Sequence, residues 1–179
     1  MERPTEGPKL VLDALPVHPA PRVDAARHLL RVGGAVEHPE TLSAADLRAR
    51  HQTAVVRDFD CEEGWTVPGL SWSGVRLTSL IDAARPLEGA RWVTLAAGDF
   101  ATIVPIEDVN EALVVLDLED APLPEEHGGP MRILIPGGAC FTSIKWLDRI
   151  ELTADPAEDS ARRIALQRIG RDPAGPSAA

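Results

Sequence analysis

A β-branched run, Thr53-Ala-Val-Val-Arg-Asp-Phe-Asp60, ends at Cys61 and is followed by Gly64, Trp65, Pro68, Gly69, Trp72 and Gly74. Glycine and proline at that density fix the end of a strand and the turn beyond it. The thiol of Cys61 is therefore expected at the mouth of a strand, walled by two indoles. A thiol so placed is suited to ligate a metal, because the thiolate is the ligand form and soft sulfur selects its metals. The plainer reading makes Cys61 a small buried hydrophobe, common for a free cysteine. The segment by itself leaves both open.

The chain has 179 residues, enough for one domain with its own core, and 44% of them are hydrophobic, as in a globular protein. A formal net charge of -10 argues against nucleic acid, whose phosphates need a basic face. No apolar run approaches the ~20 residues of a spanning helix, so direct membrane insertion is not expected. The opening residues, Met1-Glu-Arg-Pro-Thr-Glu-Gly-Pro8, carry neither an apolar signal core nor a twin arginine, and a cytoplasmic location is expected. Two cysteines, Cys61 and Cys140, exclude a disulfide framework and an all-cysteine zinc site. A single bridge between them is disfavoured in a reducing cytoplasm. There is no tyrosine.

Residues 1–22 are proline-rich and aperiodic and read as an irregular N-terminal arm; 23–155 read as the domain, and 156–179 as a C-terminal helix with a disordered tail. His28–Val32 predicts a strand running into Gly33-Gly34, and Ser43 with Asp46 predicts a capping box on a helix reaching Arg50. Thr78 is expected to cap a second helix, Ser79–Ala84, stopped by Pro86. Trp92–Leu95 and Thr102–Val104 predict a strand pair, and Pro105 a helical turn over Ile106–Asn110. Leu113–Leu118 and Met131–Ile135 read as apolar strands, and Ser143–Leu152 alternates. This order implies an α+β fold with mixed, mainly antiparallel β-sheets and short helices.

A second cluster runs from His127-Gly-Gly-Pro-Met-Arg132 through Pro136-Gly-Gly138 to Ser143-Ile-Lys145-Trp146. Its glycines permit backbone amides to approach a ligand, Arg132 can grip an anion bidentately, and Lys145 adds a point charge. Such a set suits a phosphate. Taken alone it is weak evidence, and the plainer reading is turn glycines and two surface cations. No Walker loop, dinucleotide fingerprint or His-Glu-x-x-His motif is present.

Taken together, the two stretches resemble one family. Cys-x-x-Gly-Trp…Trp-x-Gly-Val-x-Leu at Cys61–Leu77, then Pro-Leu-Pro-x-x-His-Gly-x-Pro-x-Arg and Ser-Ile-Lys-Trp-Leu-x-x-Ile-Glu-Leu at Pro122–Leu152, are similar to the oxidoreductase molybdopterin-binding domain of sulfite oxidases and of the methionine sulfoxide reductase catalytic subunit, nearest its short single-domain bacterial members. The resemblance implies a molybdenum–molybdopterin cofactor with Cys61 as metal ligand and catalytic residue. It implies cofactor contacts from His127, Arg132, Ser143, Ile144 and Lys145. Oxygen-atom or two-electron transfer on a small-molecule substrate would follow, with a cytochrome or an iron–sulfur protein as electron partner.

Several positions depart from the family pattern. Asp60 stands where many short relatives have histidine, and Glu62 and Glu63 follow the cysteine in place of uncharged residues. Ala97 replaces a hydroxyl-bearing residue, Ala139-Cys-Phe-Thr142 replaces a tyrosine-containing stretch, and the active-site tyrosine of sulfite oxidases has no counterpart. Carboxylates at a metal centre repel anions, so sulfite is not the expected substrate. The alternative is a non-catalytic molybdopterin-binding or cofactor-free domain of the same fold.

Overall fold

The computed structural model describes residues 23–61, 65–168 and 170; the expectations for the N-terminal arm, for Glu62 and Glu63 and for the C-terminal tail lie outside them. Among the described residues ten strands form two sheets. The first runs in the order β2 (Glu40–Ser43), β1 (Leu29–Gly34), β10 (Arg149–Thr153), β5 (Trp92–Ala97), β6 (Phe100–Pro105). Among the described residues only β1 and β10 pair in parallel; the other strand pairings of this sheet are antiparallel. The second sheet runs β3 (Thr53–Cys61), β4 (Trp65–Arg76), β7 (Leu113–Leu118), β8 (Ala121–Pro122), with β9 (Arg132–Leu134) also on β7. This is the mixed, mainly antiparallel α+β architecture that the order of elements implied.

The apolar run of β7 has a direct cause. Leu113 and Val115 enter one hydrophobic core while Val114 and Leu116 enter the other, so both faces of the strand are covered. The larger core joins β7 to the first sheet and to α2 (Leu77–Ala84); the smaller gathers Phe59, Val67, Leu70, Trp72 and Leu134 on the far side. Strand β9 alternates in the same way, with Ile133 in the larger core and Leu134 in the smaller. Gly74 is required where β4 crosses β7, since a Cβ there would collide with the Val114 carbonyl.

Helix α1 (Ala44–Arg48) begins with the predicted capping box: the Asp46 amide donates to Ser43 Oγ at 3.2 Å and the Ser43 amide to Asp46 Oδ2 at 2.8 Å. Arg48 then ties it to β7, with both terminal nitrogens 2.8 Å from the Asp117 carboxylate. Helix α2 differs from expectation. It starts at Leu77 with Arg76 as N-cap and no side-chain cap, so Thr78 lies inside it. Its end is set by Arg85 in the left-handed conformation, one residue before Pro86. The alternation in Ser143–Leu152 does not produce one strand either, because Trp146 has φ 55° and only Arg149–Thr153 is extended.

Helix α3 (Ser160–Arg168) closes the edge of β6. Ser160 Oγ accepts from the Ala101 amide at 2.9 Å and donates to the Asp99 carbonyl at 2.8 Å, while Asp159 accepts from the Thr102 hydroxyl and the Arg162 amide. Among the described residues no helix is long and apolar enough to cross a membrane.

Candidate functional site

Cys61 closes β3, paired with Trp65 across the hairpin, and positions 59, 60 and 61 face 67, 66 and 65 in unbroken register. A bulge between Arg57 and Phe59 bends the strand just before this stretch and turns Phe59 into the smaller core. Asp60 is exposed, and its carboxylate accepts from the Thr66 hydroxyl at 2.6 Å. Trp72 stands opposite Val55 in the β3–β4 pairing, and its indole is fully buried.

Arg132 is 2% exposed, far from the surface strand position that its charge alone would suggest. The period of β9 explains the burial, because Arg132 shares the face of Leu134 and so enters the smaller core. Its Nη1 donates to the His127 carbonyl at 3.0 Å and its Nη2 to the Ser143 carbonyl at 2.9 Å. The guanidinium carbon lies 5.2 Å from the Phe59 ring centroid and 5.4 Å from that of Trp72. Its Nε is buried without a hydrogen-bond partner among the described residues. Burial lowers its pKa to about 10, and it stays a cation at neutral pH.

The loops around Arg132 are fastened to one another. His127 ends a single 3-10 turn, Glu125–His127, and is buried; Gly128 follows with φ 105°, and the Gly129–Pro130 peptide is cis. The Trp146 amide donates to the Gly128 carbonyl at 3.1 Å and its indole Nε1 to the Glu125 carbonyl at 2.8 Å. Lys145 Nζ donates to the Glu126 carbonyl at 2.9 Å. A Cβ on Gly128 would come within 2.8 Å of the Lys145 Cβ, so glycine is needed both for its φ and for this contact. Ile144, 1% exposed, accepts the Ile133 amide at 3.0 Å and anchors the segment to β9. Ser143 is buried, and its amide donates to the Cys140 carbonyl.

Burial lowers the Lys145 pKa from 10.5 to about 8; repulsion from Arg132 adds to the effect and Glu126 opposes it. The structure therefore brings His127, Arg132, Ser143, Ile144 and Lys145 into one cluster. Phe59 carries that cluster to the strand that ends at Cys61. Sequence reasoning missed Phe59 and Trp72 as the walls around Arg132. The available signal was an arginine inside the apolar run Met131–Ile135, which needs aromatic or carbonyl company once buried.

This arrangement suits an anion. A buried guanidinium with no carboxylate partner among the described residues is costly, and a phosphate nearby would offset both its charge and that of Lys145. Among the described residues no three His, Cys, Asp or Glu side chains group as a metal site.

Residues 17–161 match the oxidoreductase molybdopterin-binding domain family. The chain belongs to this family. It is 32% identical over 135 residues to the uncharacterized oxidoreductase YuiH of Bacillus subtilis, covering 74% of this chain and 68% of YuiH. It is 33% identical over 135 residues to the NADPH nitrate reductase of Fusarium oxysporum, matching 68% of this chain but only 15% of that much longer enzyme. The sulfane dehydrogenase SoxCD of Paracoccus pantotrophus shares the fold, with a TM-score of 0.68 at 21% identity over 81% of this chain and 46% of that one.

Proposed function

We propose that this domain binds a molybdenum–molybdopterin cofactor, with the Cys61 thiolate at the metal end and the 127–145 loops at the phosphate end. The observation that carries this reading is the buried guanidinium of Arg132 beside Lys145, with no carboxylate partner among the described residues. Arg132 acts mainly by shape, holding the His127 and Ser143 carbonyls so that the intervening loops keep one geometry. Lys145 supplies charge, and a bound anion would restore the proton affinity that burial and Arg132 take from it. The family resemblance assigns cofactor contacts also to His127, Ser143 and Ile144. The cofactor, once bound, would supply oxygen-atom or two-electron transfer, and the protein would place and tune it. Exposed Asp60 beside Cys61 favours a neutral or cationic substrate over sulfite. A cytochrome or iron–sulfur protein would then exchange electrons with the site.

A second reading is binding without turnover. Asp60 next to the cysteine and the lack of any tyrosine favour it. Metal and pterin analysis of the purified protein tests both: about one molybdenum per chain supports cofactor binding, and its absence from protein made in a host that supplies the cofactor overturns it. Dye-coupled reduction of a panel of S- and N-oxides by loaded protein then separates enzyme from carrier.

A further inference from the structure

We propose that Phe59 and Trp72 are positioning residues: by holding the Arg132 guanidinium against both of their rings, they fix the distance between the strand that ends at Cys61 and the loops that carry Lys145. The inference rests on the proposed function only in taking these two regions as the ends of one ligand site. Its structural basis is independent of that reading.

The two rings are 5.8 Å apart and tilted by 43°, and the Arg132 carbon lies 5.2 Å from one centroid and 5.4 Å from the other. Both distances are within reach of a cation–π attraction, which grows when the pair is removed from water. Phe59 and Trp72 sit on a paired hairpin, and the register from Phe59 to Cys61 has no break. Arg132 passes the position on, because its two terminal nitrogens grip the carbonyls of His127 and Ser143. Ser143 lies two residues from Lys145, whose neighbour Trp146 is bonded back to Gly128. A continuous series of contacts thus runs from the cysteine strand to the lysine. The aromatic contact depends on the electrostatics of the ring face rather than on its volume. A leucine at 59 could fill the space yet give the cation nothing.

The test uses Phe59→Leu and, at the same position, a ring-fluorinated phenylalanine introduced by codon suppression. The second variant keeps shape and burial while removing the negative ring face. Amide hydrogen exchange in cofactor-free protein is the first readout. The Ile133, Ser143 and Trp146 amides should exchange roughly tenfold faster in both variants, while amides between β5 and β6 stay unchanged. Unchanged loop exchange in the fluorinated protein overturns the proposal, as does equal acceleration in both sheets, which would mean simple loss of packing. The second readout is molybdenum per chain together with the thiolate-to-metal absorption band. Lower loading with a shifted band in the variants is expected; full loading with an unshifted band overturns the proposal. If the unaltered protein takes up no cofactor, the proposed function fails, and the exchange measurement still decides the role of the rings.

Discussion

The Lys145 ammonium donates to the Glu126 carbonyl across 2.9 Å while the Arg132 guanidinium repels it. Its folded pKa of about 8 lies below the 10.5 of a free lysine. Between these values the unfolded chain holds a proton that the folded one has released, so stability rises with pH across that window. The penalty is fully present below pH 8. Lys145→Met removes the penalty, so its urea midpoint should exceed that of the unaltered protein most at pH 7 and by less at pH 10. A midpoint difference that is constant with pH would refute the assignment.

Anion binding should show the same group from the other side. Inorganic phosphate is expected to bind the cofactor-free protein below pH 8 and to weaken progressively as pH rises through 8, because the neutral amine no longer attracts it. Calorimetric titration at several pH values checks this. Loss of affinity only above pH 10 would place the charge elsewhere.

Arg132→Lys keeps a cation but cannot span two carbonyls as a planar fork. Losing one charge-assisted bond in a buried position should cost about 2–3 kcal/mol of folding stability. Urea denaturation measures it, and a loss below about 0.5 kcal/mol would mean that the His127 and Ser143 carbonyls find other donors.

Two glycines separate backbone strain from collision. Gly137→Ala places a side chain at φ 74° with nothing within 4 Å, so its cost should be about 1–2 kcal/mol, the left-handed penalty alone. Gly128→Ala adds contacts at 2.8–3.0 Å with Lys145 and should cost more while also lowering phosphate affinity. Equal melting temperatures for the two variants would remove the proposed role of the Gly128–Lys145 contact.

Cys61→Ser should abolish the thiolate-to-metal absorption band of loaded protein and leave the circular dichroism of the fold intact. An unaltered band would take Cys61 out of the metal's ligand set.

The elements were largely legible from local pattern. The capping box at Ser43–Asp46 and the apolar run Leu113–Leu118 are set by neighbours in sequence, and each appears where periodicity puts it. Thr78 failed as a cap because the Leu77 amide already donates to the Ala112 carbonyl, a tertiary bond at a helix start two residues earlier than expected. Within the site, the sequence pointed to the cations but not to their surroundings. Arg132 looked free to meet an anion with its whole fork, whereas pairing with β7 buries it and commits its terminal nitrogens to backbone carbonyls. Phe59 and Trp72 meet it through strand pairings whose partners lie far apart along the chain, beyond what local spacing reveals.

Strand β10 is the middle strand of its sheet, yet it comes from the latter part of the chain. Before it arrives, β1 with β2 and β5 with β6 are two separate hairpins, each with an unsatisfied edge. A nascent polypeptide still tethered to the ribosome short of Arg149 cannot join them. Assembly of this sheet, and with it a firm seat for the segment from Ser143 to Trp146, must wait for nearly the whole domain to emerge. Any prosthetic group held there would have to be inserted after β10 has emerged rather than before it.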